Sequence, residues 1–175
     1  VGGAVSAGLD ARQALAVSLA MEAGALALRA RHGLGPPEAK SPIDFCTEAD
    51  RTVERLIRTR LAAAFGDAVI GEEDGGEPGE SVWVVDPIDG TRAFIAGQAG
   101  FAHSLAIAEG DRIVAAVVHL PAMDLTFTAH ADGPALLNGR PISTSVAGIQ
   151  GARVLTYKSA TEPEHWKDGK SPPFR

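Results

Sequence analysis

The stretch Val82-Trp83-Val84-Val85-Asp86-Pro87-Ile88-Asp89-Gly90-Thr91-Arg92-Ala93-Phe94 decides how the rest of the chain is read. Val82 to Val85 form an apolar run rich in β-branched valine, which reads as a buried strand. The run ends on two acids, a proline and a glycine. Pro87 holds its own φ near −65° and drives Asp86 towards extended backbone, whereas Gly90 permits a close approach of the main chain to a ligand. The segment therefore reads as a strand, a tight acidic turn and a helix start. Asp86 and Asp89 then stand where a buried strand turns, and their partners must come from elsewhere in the chain.

The 175 residues suffice for one domain with a sizeable core, or one domain and part of another. A formal charge of −6, with no basic stripe interleaved with aromatics, excludes a nucleic-acid surface and fits a metabolic protein acting on small molecules. Cys46 is the single cysteine, so an intrachain disulfide is excluded and a reducing compartment is the simpler reading. No apolar run approaches the roughly 20 residues that span a bilayer, and the first residues lack the basic and apolar regions of a signal peptide. A cytoplasmic protein with no membrane partner is expected.

Upstream of the acidic stretch, residues 1–9 are rich in Gly and Ala and read as frayed. Ala11 to His32 is expected to be a well-covered helix, closed by the Gly and Pro punctuation of Gly33 to Glu38. Lys40, Ser41 and Pro42 lead into a short extended piece, Ile43 to Cys46. Thr47-Glu48-Ala49-Asp50 resembles a capping box, and Val53, Leu56, Ile57 and Leu61 follow at helical spacing up to Gly66, with Glu54 and Arg58 one turn apart. Spacing alone makes Asp50 a capping acid. Ala68 to Ile70 is a short strand that runs into Gly71-Glu72-Glu73-Asp74. Such an acidic run is ordinarily a solvated loop. Here the strand aims it, and a neighbouring strand ending on Asp86 and Asp89 would place Glu72 beside both aspartates.

Downstream, Phe101 to Ala108 and Ile113 to Leu120 read as a hairpin, Leu125 to His130 as a third strand, and Asn138-Gly139 as a tight turn left through Pro141 to Ser143. Arg153 to Tyr157 reads as a strand opening a new layer, and from Lys158 no core pattern is visible. His103 and His119 lie on apolar strands and read as core histidines, while His32 ends a helix.

Three converging carboxylates would repel one another and resist desolvation, and a cation would relieve both costs. Oxygen-only ligands select a hard ion, so Mg2+ is expected, with Mn2+ or Ca2+ as substitutes. Amides of Gly90 and Thr91 at a helix start could hold phosphoryl oxygens, and the Thr91 hydroxyl could either place a water or simply cap the helix. Phosphoryl transfer needs mainly positioning and charge stabilisation, so phosphate-ester hydrolysis follows. No Walker loop occurs.

Gly71-Glu72-Glu73, the Asp86-Pro87-Ile88-Asp89-Gly90-Thr91 motif and the upstream Thr-x-Ala-Asp segment ending at Asp50 together resemble the inositol monophosphatase superfamily, with a match in order from about Ala11 to Ser145. The resemblance implies an α+β fold, a layered αβαβα sandwich with a mainly antiparallel sheet and flanking helices, and usually a homodimer. It implies metal ligation by Glu72, Asp86, the Ile88 carbonyl and Asp89, phosphate binding at Gly90 and Thr91, and activation of the attacking water by Thr91 with Asp50. Glu73 and Lys40 would support the site from behind. The expected activity is Mg2+-dependent hydrolysis of a small polyol or sugar phosphate, with histidinol-phosphatase or 3'(2'),5'-bisphosphate nucleotidase as alternatives and an inactive metal-binding or oligomer-forming fragment as the non-enzymatic one. Family members continue into a second αβ domain carrying a W-D-x-A-type motif. None occurs before Arg175, so residues 1–145 are read as an N-terminal metal- and phosphate-binding domain, and 146–175 as the start of an incomplete C-terminal one.

Overall fold

The computed structural model describes residues 2–41 and 44–146, together with Gly148 and Arg153. Its contacts divide the chain into Val1–Ile142 and Ser143–Arg175, and the first unit holds every named helix and strand. The expected strand Arg153 to Tyr157 lies outside the described residues except for Arg153, as does Ile43 of the expected extended piece.

Helix α1 runs Gly2–Ala30 and closes in a 3-10 turn at Arg31–Gly33. Helical backbone thus includes residues expected to fray: once Ala16, Leu19, Ala20, Ala23 and Ala27 are fixed in the core, an Ala-rich extension adds one backbone hydrogen bond for each residue ordered. Lys40 also differs from expectation, because it lies in a strand of its own. Strand β1 (Glu38–Ser41) pairs antiparallel with β2 (Asp44–Cys46).

Helix α2, Glu48–Phe65, starts at Thr47 with the full capping box and ends at Gly66 in the left-handed conformation. Its buried stripe of Asp50, Val53, Glu54, Ile57 and Leu61 recurs at helical spacing. Strands β3 (Ala68–Gly71), β4 (Ser81–Asp89), β5 (Ala102–Glu109), β6 (Arg112–Leu120), β7 (Leu125–His130), β8 (Leu136–Leu137) and β9 (Arg140–Pro141) form a sheet in that order. All neighbours are antiparallel except β3 and β4, which are parallel. This is the α+β class with a mainly antiparallel sheet and helices packed against it.

The expected hairpins form. Asn138 takes a positive φ of 48° at the β8–β9 turn, and its side chain accepts from Thr126 N and donates to Asp124 O. Trp83, Phe94, Phe101, Ile88, Leu105 and Ile107 form the core with the small residues of α1 and the aliphatics of α2. His103 and His119 are buried within it and stack with ring centroids 6.4 Å apart, the place expected of core histidines.

Candidate metal and phosphate site

Parallel pairing of β3 with β4 builds one side of the site. Gly71 is in register with Val85, and Glu72 N donates to Val85 O at 3.0 Å, so Glu72 leaves the sheet beside Asp86. The two carboxylates, 14 residues apart in sequence, become neighbours through strand register alone.

The acids of β4 are arranged differently from a simple turn. The strand continues to Asp89, and its pairing with β5 slips between Asp86, opposite Ser104, and Asp89, opposite Ala102. Three steps on β4 match two on β5, which is one extra residue and therefore a bulge. Residues i and i+3 of a regular strand point to opposite faces, and one inserted residue returns them to the same face. Pro87, with no N–H to give the ladder, sits inside the bulge, while its carbonyl accepts from His103 Nδ1. A short helix, α3 (Thr91–Ile95), follows Gly90, which takes a left-handed φ of 86° where an added Cβ would stand 2.9 Å from Gly100 O.

Asp86 carries the electrostatic load. Its Oδ1 is enclosed and has no hydrogen-bond partner. Burial, then Glu72 and then Asp89 push its carboxyl up to about 8. On the solvent side, Lys40 Nζ donates to Glu72 Oε1 at 3.2 Å and to Glu73 Oε1 at 2.7 Å. Burial by itself would lower the Lys40 pKa, and the hydrogen bonds to Glu73 and Glu72 raise it on balance. Among the described residues, no three His, Cys, Asp or Glu side chains stand at the spacing of a ready-made metal centre. Lys40 draws Glu72 and Glu73 towards itself, and carboxylates without a shared cation repel. The donor set nonetheless suits a hard cation: Glu72, Asp86 and Asp89 offer only oxygen, and the unpartnered Asp86 Oδ1 is an acceptor in want of positive charge.

Across the strand end, Thr91 Oγ1 lies 3.0 Å from Ile88 O and 3.3 Å from Asp50 Oδ1. Its single proton can go to either acceptor. Asp50 combines the two roles open to it, because Oδ2 accepts from Thr47 N at 2.8 Å and from Thr47 Oγ1 at 2.5 Å while Oδ1 faces Thr91. Burial pushes the Asp50 carboxyl up, opposed by those bonds from Thr47. The structure thus groups Asp50 with Thr91 and Ile88, and Lys40 with Glu72, Glu73 and, through Glu72, Asp86.

Two further residues, read from sequence only as a pair one helical turn apart, hold the turn that carries Glu72. Glu54 is wholly buried, and its carboxylate accepts from the amides of Glu73 at 2.8 Å and Asp74 at 3.1 Å, as well as from Arg58. The available signal was a glutamate on the apolar helical stripe that also holds Asp50, Ile57 and Leu61.

In this α+β chain the bulged strand end sets two aspartates beside a glutamate and a Thr–Asp pair, a carboxylate-rich site suited to a hard cation. The match to the model of the inositol monophosphatase family spans residues 9–171, and the chain belongs to that family. It is 43% identical over 107 residues to an inositol-1-monophosphatase of Rhizobium meliloti, covering 58% of this chain and 40% of that protein. To a histidinol-phosphatase of Chlorobaculum parvum it is 34% identical over 128 residues, 71% of this chain and 48% of that one. The solved IMPase TM1415 of Thermotoga maritima superposes with a TM-score of 0.76 at 33% identity, covering 80% of this chain and 56% of that one. The chain spans about half the length of these relatives. Among the described residues, no helix is long and apolar enough to cross a membrane.

Proposed function

We propose that this chain supplies the metal- and phosphate-binding half of a Mg2+-dependent phosphomonoester hydrolase acting on a small polyol or sugar phosphate, inositol monophosphate first. The observation that carries the reading is Asp86, a carboxylate enclosed beside Glu72 and Asp89 with an unpartnered oxygen, one bulge away from the Thr91–Asp50 pair. Glu72, Asp86, Asp89 and the Ile88 carbonyl would hold the ion, Mn2+ or Ca2+ being the substitutes a hard-oxygen site accepts. When bound, the ion supplies charge neutralisation and polarisation of the phosphoryl group. The chain's own residues do the rest: Thr91 Oγ1 orients a water with its lone pairs, Asp50 Oδ1 takes up the Thr91 proton, and the amides of Gly90 and Thr91 donate to phosphoryl oxygens. Lys40 gives Glu72 and Glu73 a counter-charge. Similarity to a histidinol-phosphatase supports keeping histidinol phosphate as a second substrate.

Residues 1–145 are assigned as the metal- and phosphate-binding domain, a boundary supported by the break between Ile142 and Ser143. A cytoplasmic homodimer is the accompanying assignment, supported by the buried free thiol of Cys46 for the reducing compartment and by the family for the dimer. Phosphate release with and without Mg2+ is measured on inositol 1-phosphate, histidinol phosphate and 3'-phosphoadenosine 5'-phosphate. The chain is assayed alongside any longer polypeptide that contains it. Release from none of the three by the longer form would sink the enzymatic reading and leave the metal-binding fragment.

A further inference from the structure

The turn Gly71–Gly75 presents Glu72 to Asp86, yet nothing in the turn's own sequence explains why it holds one shape. Its two ends are joined by Gly71 N donating to Gly75 O at 2.8 Å. Val85 O holds the Glu72 amide and Lys40 the Glu72 and Glu73 carboxylates, whereas the amides at the tip are held from helix α2. Glu54 Oε2 accepts from Glu73 N at 2.8 Å and Oε1 from Asp74 N at 3.1 Å, so one buried carboxylate takes both amides at the tip. Arg58 completes the grip, with Nη1 donating to Val69 O at 2.8 Å where the turn is entered, and Nη2 donating to Gly75 O at 2.7 Å and to Glu54 Oε1 at 2.8 Å. The carboxylate is pressed against the backbone so closely that a Cβ on Gly71 would stand 2.1 Å from Glu54 Oε1. Glycine at 71 is therefore required by Glu54 and not by its own φ.

We propose that Glu54, held by Arg58, is a positioning residue of the metal site: by gripping the Glu73 and Asp74 amides it fixes the direction in which Glu72 leaves β3, and so the fit of Glu72 and Asp86 around one cation. The proposal rests on the metal-site reading above. Charge-assisted bonds from two amides and a guanidinium make a stiff anchor, and residues that orient ligands without touching a metal commonly set its affinity. A glutamate serving only as a core ion pair would hold α2 and β3 together without influencing affinity at Glu72.

The test uses the full chain with Mg2+ as the probe and no substrate. Glu54→Gln keeps the volume and replaces one acceptor by a donor that meets an amide N–H head on. Amide exchange at Glu73 and Asp74 in metal-free protein is expected to speed up at least tenfold, and the Mg2+ dissociation constant by calorimetry to rise by about tenfold, at a temperature well below the melting point of either protein. Arg58→Lys, at a partly exposed position, keeps the charge but loses the fork, and is expected to give a smaller rise in both. Should Glu54→Gln not fold, Arg58→Lys carries the test. An unchanged Mg2+ constant or unchanged Glu73 and Asp74 exchange in a folded variant overturns the proposal, whatever happens to the melting temperature. Failure of the wild-type chain to bind Mg2+ counts against the site reading itself, and the exchange measurement still decides the grip.

Discussion

Asp50 Oδ1 lies 3.3 Å from Thr91 Oγ1, although 41 residues separate them in sequence, while Asp50 Oδ2 caps its own helix through Thr47. One carboxylate is thus oriented by one oxygen and free to act with the other. The cap is what makes the second oxygen's direction reliable, because the side chain, itself 1% exposed, cannot rotate without giving up two hydrogen bonds.

Asp50→Asn should separate these roles. The amide oxygen can keep the bond from Thr47 N, so thermal and urea unfolding should show a loss within about 1 kcal/mol, the size of a helix cap. The amide nitrogen, facing Thr91, would donate where the carboxylate accepts. Turnover in the Mg2+-dependent phosphatase assay should fall by about 100-fold or more, the usual share of a general base. Activity within twofold of wild type would remove Asp50 from the reaction.

Asp86→Asn should trade function against stability. In the absence of metal and above pH 8, where the wild-type carboxyl must ionise against burial, Glu72 and Asp89, the amide carries no charge and still offers Glu72 a donor, so the melting temperature in EDTA at that pH is expected to be no lower than wild type. Mg2+-dependent turnover should be lost, and Asp89→Asn should lose it too with the fold intact. A clear fall in the melting temperature of Asp86→Asn in EDTA would show that the buried carboxylate stabilises the protein, contrary to this account.

Gly71→Ala puts a methyl group 2.1 Å from Glu54 Oε1. Displacing a buried, triply bonded carboxylate is expected to cost about 2 kcal/mol or more in urea unfolding. With Glu54 already cut back to alanine, the clash has no partner. The double variant Gly71→Ala/Glu54→Ala should therefore be more stable than the sum of the single losses predicts, by about 1 kcal/mol or more. Strict additivity would mean that the two residues do not meet.

His103 gives the pH dependence. It is fully buried, its Nδ1 bonds to Pro87 O, its Nε2 has no partner, and burial lowers its pKa to about 4. The folded state therefore resists a proton that the unfolded chain accepts near pH 6.5. The His103 contribution is complete above pH 6.5 and is lost progressively as pH falls from there towards 4. Between pH 7 and 5, wild type should lose about 2 kcal/mol relative to His103→Gln, read as the difference between their urea midpoints converted with a common m-value. Parallel pH profiles for the two proteins would show that the imidazole is protonated without penalty.

The strand of valines, the capping box at Thr47, the Asn138-Gly139 hairpin and the oxygen-only character of the site are legible in the sequence by itself. Each depends on residues within a few positions of one another: β-branching, a side chain reaching its own helix end, a positive φ that asparagine tolerates, the chemistry of Asp and Glu. The order of motifs around Asp86 to Thr91 likewise marks the family, which the comparisons show. What only the tertiary structure decided are relations set by register and long-range packing. The parallel pairing of β3 with β4 puts Glu72 beside Asp86, the bulge turns Asp86 and Asp89 to one side, Lys40 bridges Glu72 and Glu73, and Glu54 grips the turn from a helix. A one-residue change in pairing reverses the face of every side chain beyond it, and no local propensity encodes that choice, because the energy that selects it is the burial of Trp83, Ile88 and Leu105 in the shared core.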